Sequence, residues 1–189
     1  LIKLTRPDGA CLSYTYDAAH RLMSIVDAQG NVIEYSLDAS GNVLTETILD
    51  ESGNLSRMSS YAYDELNRVI EDNTAEYSHD SNGDVTAVTD KTGLTTDHDY
   101  DALNRLVQTV NPASYHSRYE YNRYDEVTAV TDPRNLRTRY DYDAFGNRVS
   151  VDSPDSGETS YGYDASGNQV SVTNARGQTR TMKYDALDR

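Results

Sequence analysis

The chain has 189 residues, a net charge of -14 and a mean hydropathy of -0.75, with 16 tyrosines, one phenylalanine and no tryptophan. That acidity argues against nucleic acid as a partner, because general affinity for phosphate backbones comes from Lys and Arg, and so little large apolar material argues against a thick globular core. The lone Cys11 excludes an intrachain disulfide framework and a cysteine metal cluster, and no apolar run is long enough for a membrane-spanning helix.

In chain order, Leu1 to Asp17 reads as a strand ending in Tyr14, Tyr16 and Asp17, preceded by a tight turn at Pro7-Asp8-Gly9. The next unit shows a plan of two strands and two turns: Asp17-Ala18-Ala19-His20 turns, Arg21 to Val26 runs out, Asp27-Ala28-Gln29-Gly30 turns, and Asn31 to Leu37 returns. The second turn recurs as Asp90-Lys91-Thr92-Gly93, Asp132-Pro133-Arg134-Asn135 and Asn174-Ala175-Arg176-Gly177. An Asx residue that caps its own turn, followed by a residue tolerant of positive φ, predicts hairpins with bulged three-residue loops. Leu49 to Leu55 predicts a longer tip around Asp50-Glu51-Ser52-Gly53, and Glu71 to Glu76 a clipped hairpin after it.

Each return strand ends in one phrase, two aromatics at i and i+2 followed by an Asx residue, fullest in Tyr140, Tyr142, Asp143, Gly146, Arg148 and Val149. It recurs at Tyr14/Tyr16/Asp17, Tyr35/Leu37/Asp38, Tyr61/Tyr63/Asp64, Tyr77/His79/Asp80, His98/Tyr100/Asp101, Tyr119/Tyr121/Asn122, Tyr161/Tyr163/Asp164 with Gly167, and Met182/Tyr184/Asp185. Successive Asx positions lie 21 residues apart, except for a 26 and a 16 that together make two periods. A fixed period makes each residue a member of a series and decides the architecture.

The aromatic pair projects from one face of a strand, whereas a helix would splay it. Of two β architectures with this period, a parallel coil would stack the aspartates about 4.8 Å apart, and an antiparallel ribbon would space them about 9–10 Å apart. Two hairpin turns per period favour the antiparallel β-ribbon. The fold class expected is therefore all-β, one repeat array over residues 1–189 that forms a piece of a longer one and lacks capping elements at its ends. Uncapped edges expose backbone groups, so edge-to-edge self-association is expected.

The Tyr-x-Tyr-Asp phrase followed by Gly or Asn, Arg and an aliphatic residue resembles the YD repeats of the rearrangement hotspot (Rhs) family, which also occur in insecticidal toxin complexes and teneurins. Tyr61 to Val69, Tyr100 to Leu106, Tyr140 to Val149 and Tyr161 to Val170 carry it best. The resemblance implies a ribbon curved into a segment of a spiral hollow shell, whose partners are the remaining shell repeats and an encapsulated toxin polypeptide. It also implies a place that is secreted or at the cell surface after export from a bacterial cytoplasm. The rival reading is an extracellular module that binds carbohydrate or protein. The family's Asp-Pro autoproteolytic motif is not carried over to Asp132-Pro133, which lacks its glycine context.

The phrase is read as structure: Tyr pairs for packing, Asp17, Asp38, Asp64, Asp80, Asp101, Asp143, Asp164 and Asp185 for turn capping, and Gly146 or Asn147 for the strained backbone. Calcium needs six to eight oxygens at close range, which aspartates about two strands apart do not supply. His20, His79, His98 and His116 have no Cys, Ser or Glu at a triad spacing, so no catalytic residue, metal ligand or cofactor is expected. Arg21, Arg68, Arg105 and Arg148 are expected to pair with neighbouring acids. At Asp143 and Asp164 the aliphatic follows six residues on, where most copies have five, which predicts a wider turn or bulge at those two corners.

Overall fold

The computed structural model describes residues 2–7, 9–185 and 187. Leu1, Asp8 of the expected Pro7–Gly9 turn, Ala186, Asp188 and Arg189 lie outside the described residues. Among those described there are eighteen strands, and no helix is long and apolar enough to cross a membrane. The chain divides into two units, residues 1–95 and 96–189.

The first unit holds β1 (Lys3–Thr5), β2 (Cys11–Tyr16), β3 (Leu22–Val26), β4 (Val32–Leu37), β5 (Val43–Leu49), β6 (Leu55–Tyr63), β7 (Val69–Asp72), β8 (Ala75–His79) and β9 (Val85–Asp90). Each pairs antiparallel with the next. The second holds β10 (Thr95–Tyr100), β11 (Leu106–Val110), β12 (His116–Tyr121), β13 (Val127–Thr131), β14 (Arg137–Tyr142), β15 (Arg148–Ser153), β16 (Gly157–Tyr163), β17 (Gln169–Thr173) and β18 (Thr179–Thr181). It too is an antiparallel meander. Every neighbour in these ladders is antiparallel, which excludes the parallel coil. The N-terminal stretch adds a strand the sequence reading did not separate: Arg6 N–H donates to Ala10 O at 2.8 Å and folds β1 back on β2.

Return strands alternate as the aromatic spacing requires. In β14, Arg137, Arg139 and Asp141 are exposed while Thr138, Tyr140 and Tyr142 are half-buried. In the regular copies the first aromatic of the phrase faces an aliphatic across the ladder, as Tyr14 opposes Ile25, Tyr119 opposes Val130, Tyr140 opposes Val151 and Tyr161 opposes Val172, whereas Tyr35 opposes Glu46 and Tyr61 opposes Asp72. Pairs of an aromatic and a β-branched residue are each worth about 0.2–1 kcal/mol. The opposite face is polar, with Thr15 and Ser24 hydroxyls 2.7 Å apart, Ser150 Oγ donating to Asp141 Oδ2 at 2.7 Å, and Arg137 paired with Glu120. Among the described residues only Ala75, Ala129 and Ser59 are buried, and no large side chain is fully enclosed. Burial in each unit thus comes from strand neighbours lying side by side rather than from a closed core.

The irregular repeat is a long hairpin followed by a short one. Strand β6 runs nine residues, and β7 with only four is joined to β8 by Asn73 and Thr74 alone. The extra length lies in the strands. The tip at Asp50 closes like any other loop, with Asp50 N–H donating to Asn54 O at 2.9 Å and Gly53 N–H to Asp50 O at 2.9 Å.

Of the wider turn or bulge expected at Asp143 and Asp164, the turn is no wider than elsewhere, and the bulge is there but is shared with the other corners. The return strands β2, β4, β6, β8, β10, β12, β14 and β16 slip register one step before the Asx loop, between Thr15 and Tyr16, Ala62 and Tyr63, Asp141 and Tyr142, Gly162 and Tyr163, and their counterparts. At such a bulge two residues of one strand oppose one of the other. Tyr142 faces Arg148 while Asp141 faces Ser150, so Val149 is the extra residue. Tyr16 faces Leu22 while Thr15 faces Ser24, so there Met23 is extra. The aliphatic can therefore occupy either bulge position while the turn itself stays the same.

Candidate functional site: the repeat corner

A corner is assembled from the phrase, the loop after it and the start of the next strand. At Asp143, backbone N–H donates to Asn147 O at 2.9 Å and Gly146 N–H donates back to Asp143 O at 3.2 Å. Oδ1 of Asp143 accepts from Phe145 N at 2.8 Å and Asn147 N at 3.0 Å, and Oδ2 accepts from Asn147 Nδ2 at 3.0 Å. The same closure recurs at Asp17, Asp64, Asp101 and Asp164, and at the opposite hairpin ends at Asp27, Asp90, Asp132 and Asn174. Among the described residues the one three after the loop's Asx takes positive φ, from Gly146 at 83° and Gly167 at 87° to Asn67 at 61° and His20 at 63°. Glycine accepts that region without strain, and short polar residues tolerate it.

These hydrogen bonds hold the carboxyls of Asp17, Asp38, Asp64, Asp101, Asp143 and Asp164 below their usual range. The Asn147 amide and then backbone N–H groups do so at Asp143, the Arg105 guanidinium at Asp101, and backbone N–H groups foremost at Asp164 and Asp17. The side chain four residues after the Asx completes the pair. After the corner Asp it is mostly a donor, since Arg21, Arg68 and Arg105 reach Oδ2 at 2.7 Å and Asn42 does at 2.9 Å, whereas Leu94 and Leu136 follow Asp90 and Asp132 at the opposite hairpin ends. After Asn it is an acceptor, so Asn122 Nδ2 donates to Glu126 Oε2 at 2.6 Å and Asn174 Nδ2 to Gln178 Oε1 at 3.0 Å. Asp80 breaks the rule with Asp84, whose Oδ2 is buried and unpartnered, as is Nδ1 of the adjacent corner residue His79.

Three of these arginines also tie one corner to the next. Arg21 Nη1 donates to Asp38 O at 2.7 Å, Arg68 Nη1 to Asp80 O at 2.7 Å, and Arg105 Nη1 to Asn122 O at 3.0 Å. Arg105 additionally pairs with Asp125 at 2.8 Å and lies 4.8 Å from the centre of the Tyr121 ring. Arg148 does not join this set. It stands five residues after Asp143, where Asn147 already occupies the donor position, and its guanidinium lies over the Tyr140 and Tyr161 rings at 5.9 and 5.3 Å.

The two aromatic positions of the phrase are not equivalent. The second sends its hydroxyl back to the carbonyl that opens the strand before it: Tyr63 to Val43 O, Tyr121 to Leu106 O, Tyr142 to Val127 O, Tyr163 to Arg148 O and Tyr184 to Gln169 O, all at 2.8–3.1 Å. Those carbonyls belong to the residues at the bulges, where the ladder is irregular. The first position contributes ring area at Tyr61, Tyr119, Tyr140 and Tyr161, whose hydroxyls make no hydrogen bond among the described residues, while at Tyr77, where His79 takes the second position, the hydroxyl donates to Asp72 Oδ2 at 2.9 Å. Burial pushes the Tyr63, Tyr121 and Tyr142 hydroxyls up in pKa. Tyr14, Tyr16, Tyr100 and Asp185 occupy the same series of places.

A shallow groove of about 690 Å³ lies between the Asp143 and Asp164 corners, lined by Phe145, Val149, Tyr161 and Tyr163 among others. The histidines stand apart: His98 Nδ1 is 3.3 Å from Thr109 Oγ1, and His116 Nδ1 is 3.2 Å from Gln108 Oε1. Among the described residues no three His, Cys, Asp or Glu side chains come together in a way that could hold a metal ion. Sequence reasoning missed the corner-to-corner arginine link, although an Arg recurring four residues after the Asp was visible in four copies.

A family model described as RHS Repeat matches residues 1–32, 16–55, 79–116, 121–159, 150–179 and 163–189. No curated protein matches the chain. Among solved structures, that of TcdB2-TccC3 matches with a TM-score of 0.65 at 15% identity, over 94% of this chain and 14% of that one. TcdB2-TccC3-TEV matches with 0.57 at 14% identity, over 100% and 13%. A Tc holotoxin pore from Photorhabdus luminescens matches with 0.50 at 17% identity, over 93% and 10%. The likeness is one of fold, and the chain spans only that small share of each.

Proposed function

We propose, on the premise that this chain belongs to the RHS repeat family, that it is a stretch of shell wall enclosing a polypeptide cargo until delivery. The whole array serves as one wall, acting within a secreted or cell-surface toxin carrier, and its tyrosine, aspartate and glycine positions serve to build it rather than to turn over a substrate. One observation carries this reading: each corner closes on itself with the same hydrogen bonds, and arginines carry the link on to the next corner. A ribbon held by nearest neighbours needs no closed core and can be extended repeat by repeat. That property suits a wall, and it leaves no convergent set of acid, base and nucleophile.

The test is limited proteolysis of the protein that carries these repeats. An enclosed polypeptide should resist cleavage while the repeats are folded and be cut rapidly once urea has unfolded them. Equal cleavage rates in the two states would contradict enclosure.

A further inference from the structure

The second residue after the corner Asx exposes a large apolar side chain in several repeats. Leu103, Tyr124 and Phe145 do so on successive corners of the second unit, at 69%, 66% and 91% exposure. Between the last two lies a groove of about 260 Å³, lined by Tyr124, Glu126, Asp143, Ala144, Phe145 and Gly146.

The preceding interval, from the Asp101 corner to the Asn122 corner, shows what such a place holds. There Arg105 pairs with Asp101 and Asp125, donates to Asn122 O, and lies over the Tyr121 ring. One repeat later the residue equivalent to Arg105 is Glu126, so a carboxylate replaces the guanidinium. The ring and the corner carbonyl are retained, while Asn122 and Gly146 stand where Asp101 and Asp125 stood. Tyr142 stands where Tyr121 stood, and Asp143 O, equivalent to Asn122 O, accepts only the loop's own Gly146 N–H among the described residues. Glu126 Oε1 lies 3.0 Å from where a Gly146 side chain would begin, which places the carboxylate close against the Gly146 backbone at the groove. Neither Glu126 nor Asp143 has an ion-pair partner among the described residues. Arg105, Arg123 and Arg148 lie over tyrosine rings, Arg123 at 4.7 Å from the Tyr124 ring centre, but among the described residues no guanidinium lies over Phe145.

We propose that this interval is a docking site for a basic peptide segment, whose arginine meets the Glu126 carboxylate beside the corner carbonyl equivalent to the one that Arg105 reaches one repeat earlier. The guest guanidinium pairs with Glu126, donates to Asp143 O, and rests against Phe145; charge-assisted hydrogen bonds and cation–π contact are the interactions such a cation makes at carboxylates and rings. The acidity of the chain as a whole favours approach of such a segment. This inference does not depend on the wall reading, and either can fail alone.

The test uses a short fluorescein-labelled peptide with arginine at every second position, followed by fluorescence anisotropy. Its citrulline counterpart, neutral and of similar shape, is the control. The chain should bind the arginine peptide at low salt and bind the citrulline peptide at least about tenfold more weakly. Glu126→Arg, which restores the built-in guanidinium, should abolish binding while keeping the β circular dichroism spectrum. Phe145→Ser, copying Ser166 of the next corner, should weaken it severalfold. Glu158→Arg makes the same change in net charge away from the groove and should leave binding intact. Equal losses in Glu126→Arg and Glu158→Arg would mean diffuse attraction and overturn the proposal, as would equal binding of the citrulline peptide. Self-association of the chain that vanishes in Phe145→Ser, with no peptide binding, would assign the surface to a second copy and also overturn it.

Discussion

Replacing Tyr142 by Phe removes one atom, the hydroxyl that donates to Val127 O at 3.0 Å. Ring packing against the sheet face is unchanged, so the loss is that of a hydrogen bond between half-buried partners, about 1 kcal/mol. The acceptor opens β13 at a bulge, where its own ladder is irregular, and it then depends on water for a partner. For a chain of this length about 1 kcal/mol lowers the melting temperature by roughly 2–4 °C. Tyr140→Phe is the matched control, because the Tyr140 hydroxyl has no partner among the described residues; its effect should stay within about 0.5 kcal/mol. The pairs Tyr119/Tyr121 and Tyr161/Tyr163 should show the same asymmetry by urea denaturation and differential scanning calorimetry. Equal effects at the two positions of a pair, or no effect at Tyr142, would refute the assignment of packing to the first tyrosine and tethering to the second.

Arg105→Ala should lower the melting temperature more than Arg148→Ala, because Arg105 links two corners while Arg148 only covers rings, and the difference should shrink in high salt; equal effects would remove the corner link from the account. Stability should be level above about pH 5 and fall below about pH 4, since the corner aspartates, Asp17, Asp64, Asp101 and Asp143 among them, have folded pKa values below the ordinary 3.9. A depressed folded pKa contributes stability that is present above the unfolded value and lost as pH drops through the folded one, so a melting temperature flat from pH 6 down to about pH 2 would contradict the capping role. Gly53→Ala, at φ 78° with open space around it, should cost roughly 1–2 kcal/mol from backbone strain alone. Gly157→Ala should cost more, because its new Cβ would stand 2.7 Å from Ala175 Cβ; the comparison is read from urea midpoints.

Much of this was legible in the sequence because the chemistry is local. An Asx residue caps N–H groups two and four residues on, and a glycine or asparagine three residues on accepts positive φ, so each loop could be read within its own five residues. The paired aromatics announced strands for the same reason. What escaped the reading depends on register across the ladder. Arg21 and Asp38 are 17 residues apart, and only the antiparallel pairing brings the guanidinium to that carbonyl. Arg148 looked like Arg105 in the phrase, but one place of displacement moved it from the carboxylate to the rings. The late aliphatics Val149 and Val170 looked like wider turns because a bulge lets two residues oppose one, an ambiguity that spacing alone does not resolve. The site was less legible than the fold: Glu126 is ordinary as a single acidic residue and conspicuous only beside Arg105, its equivalent one repeat earlier.

The central claim, that these corners form a wall around a polypeptide, is tested most directly by electron cryo-microscopy of the protein that carries the repeats. The account predicts a hollow particle whose wall shows corner loops spaced about 9–10 Å apart along the ribbon, two strands per repeat, with separate density inside. A wall of that spacing around an empty interior would contradict the enclosing role, and a solid particle without it would contradict the wall itself.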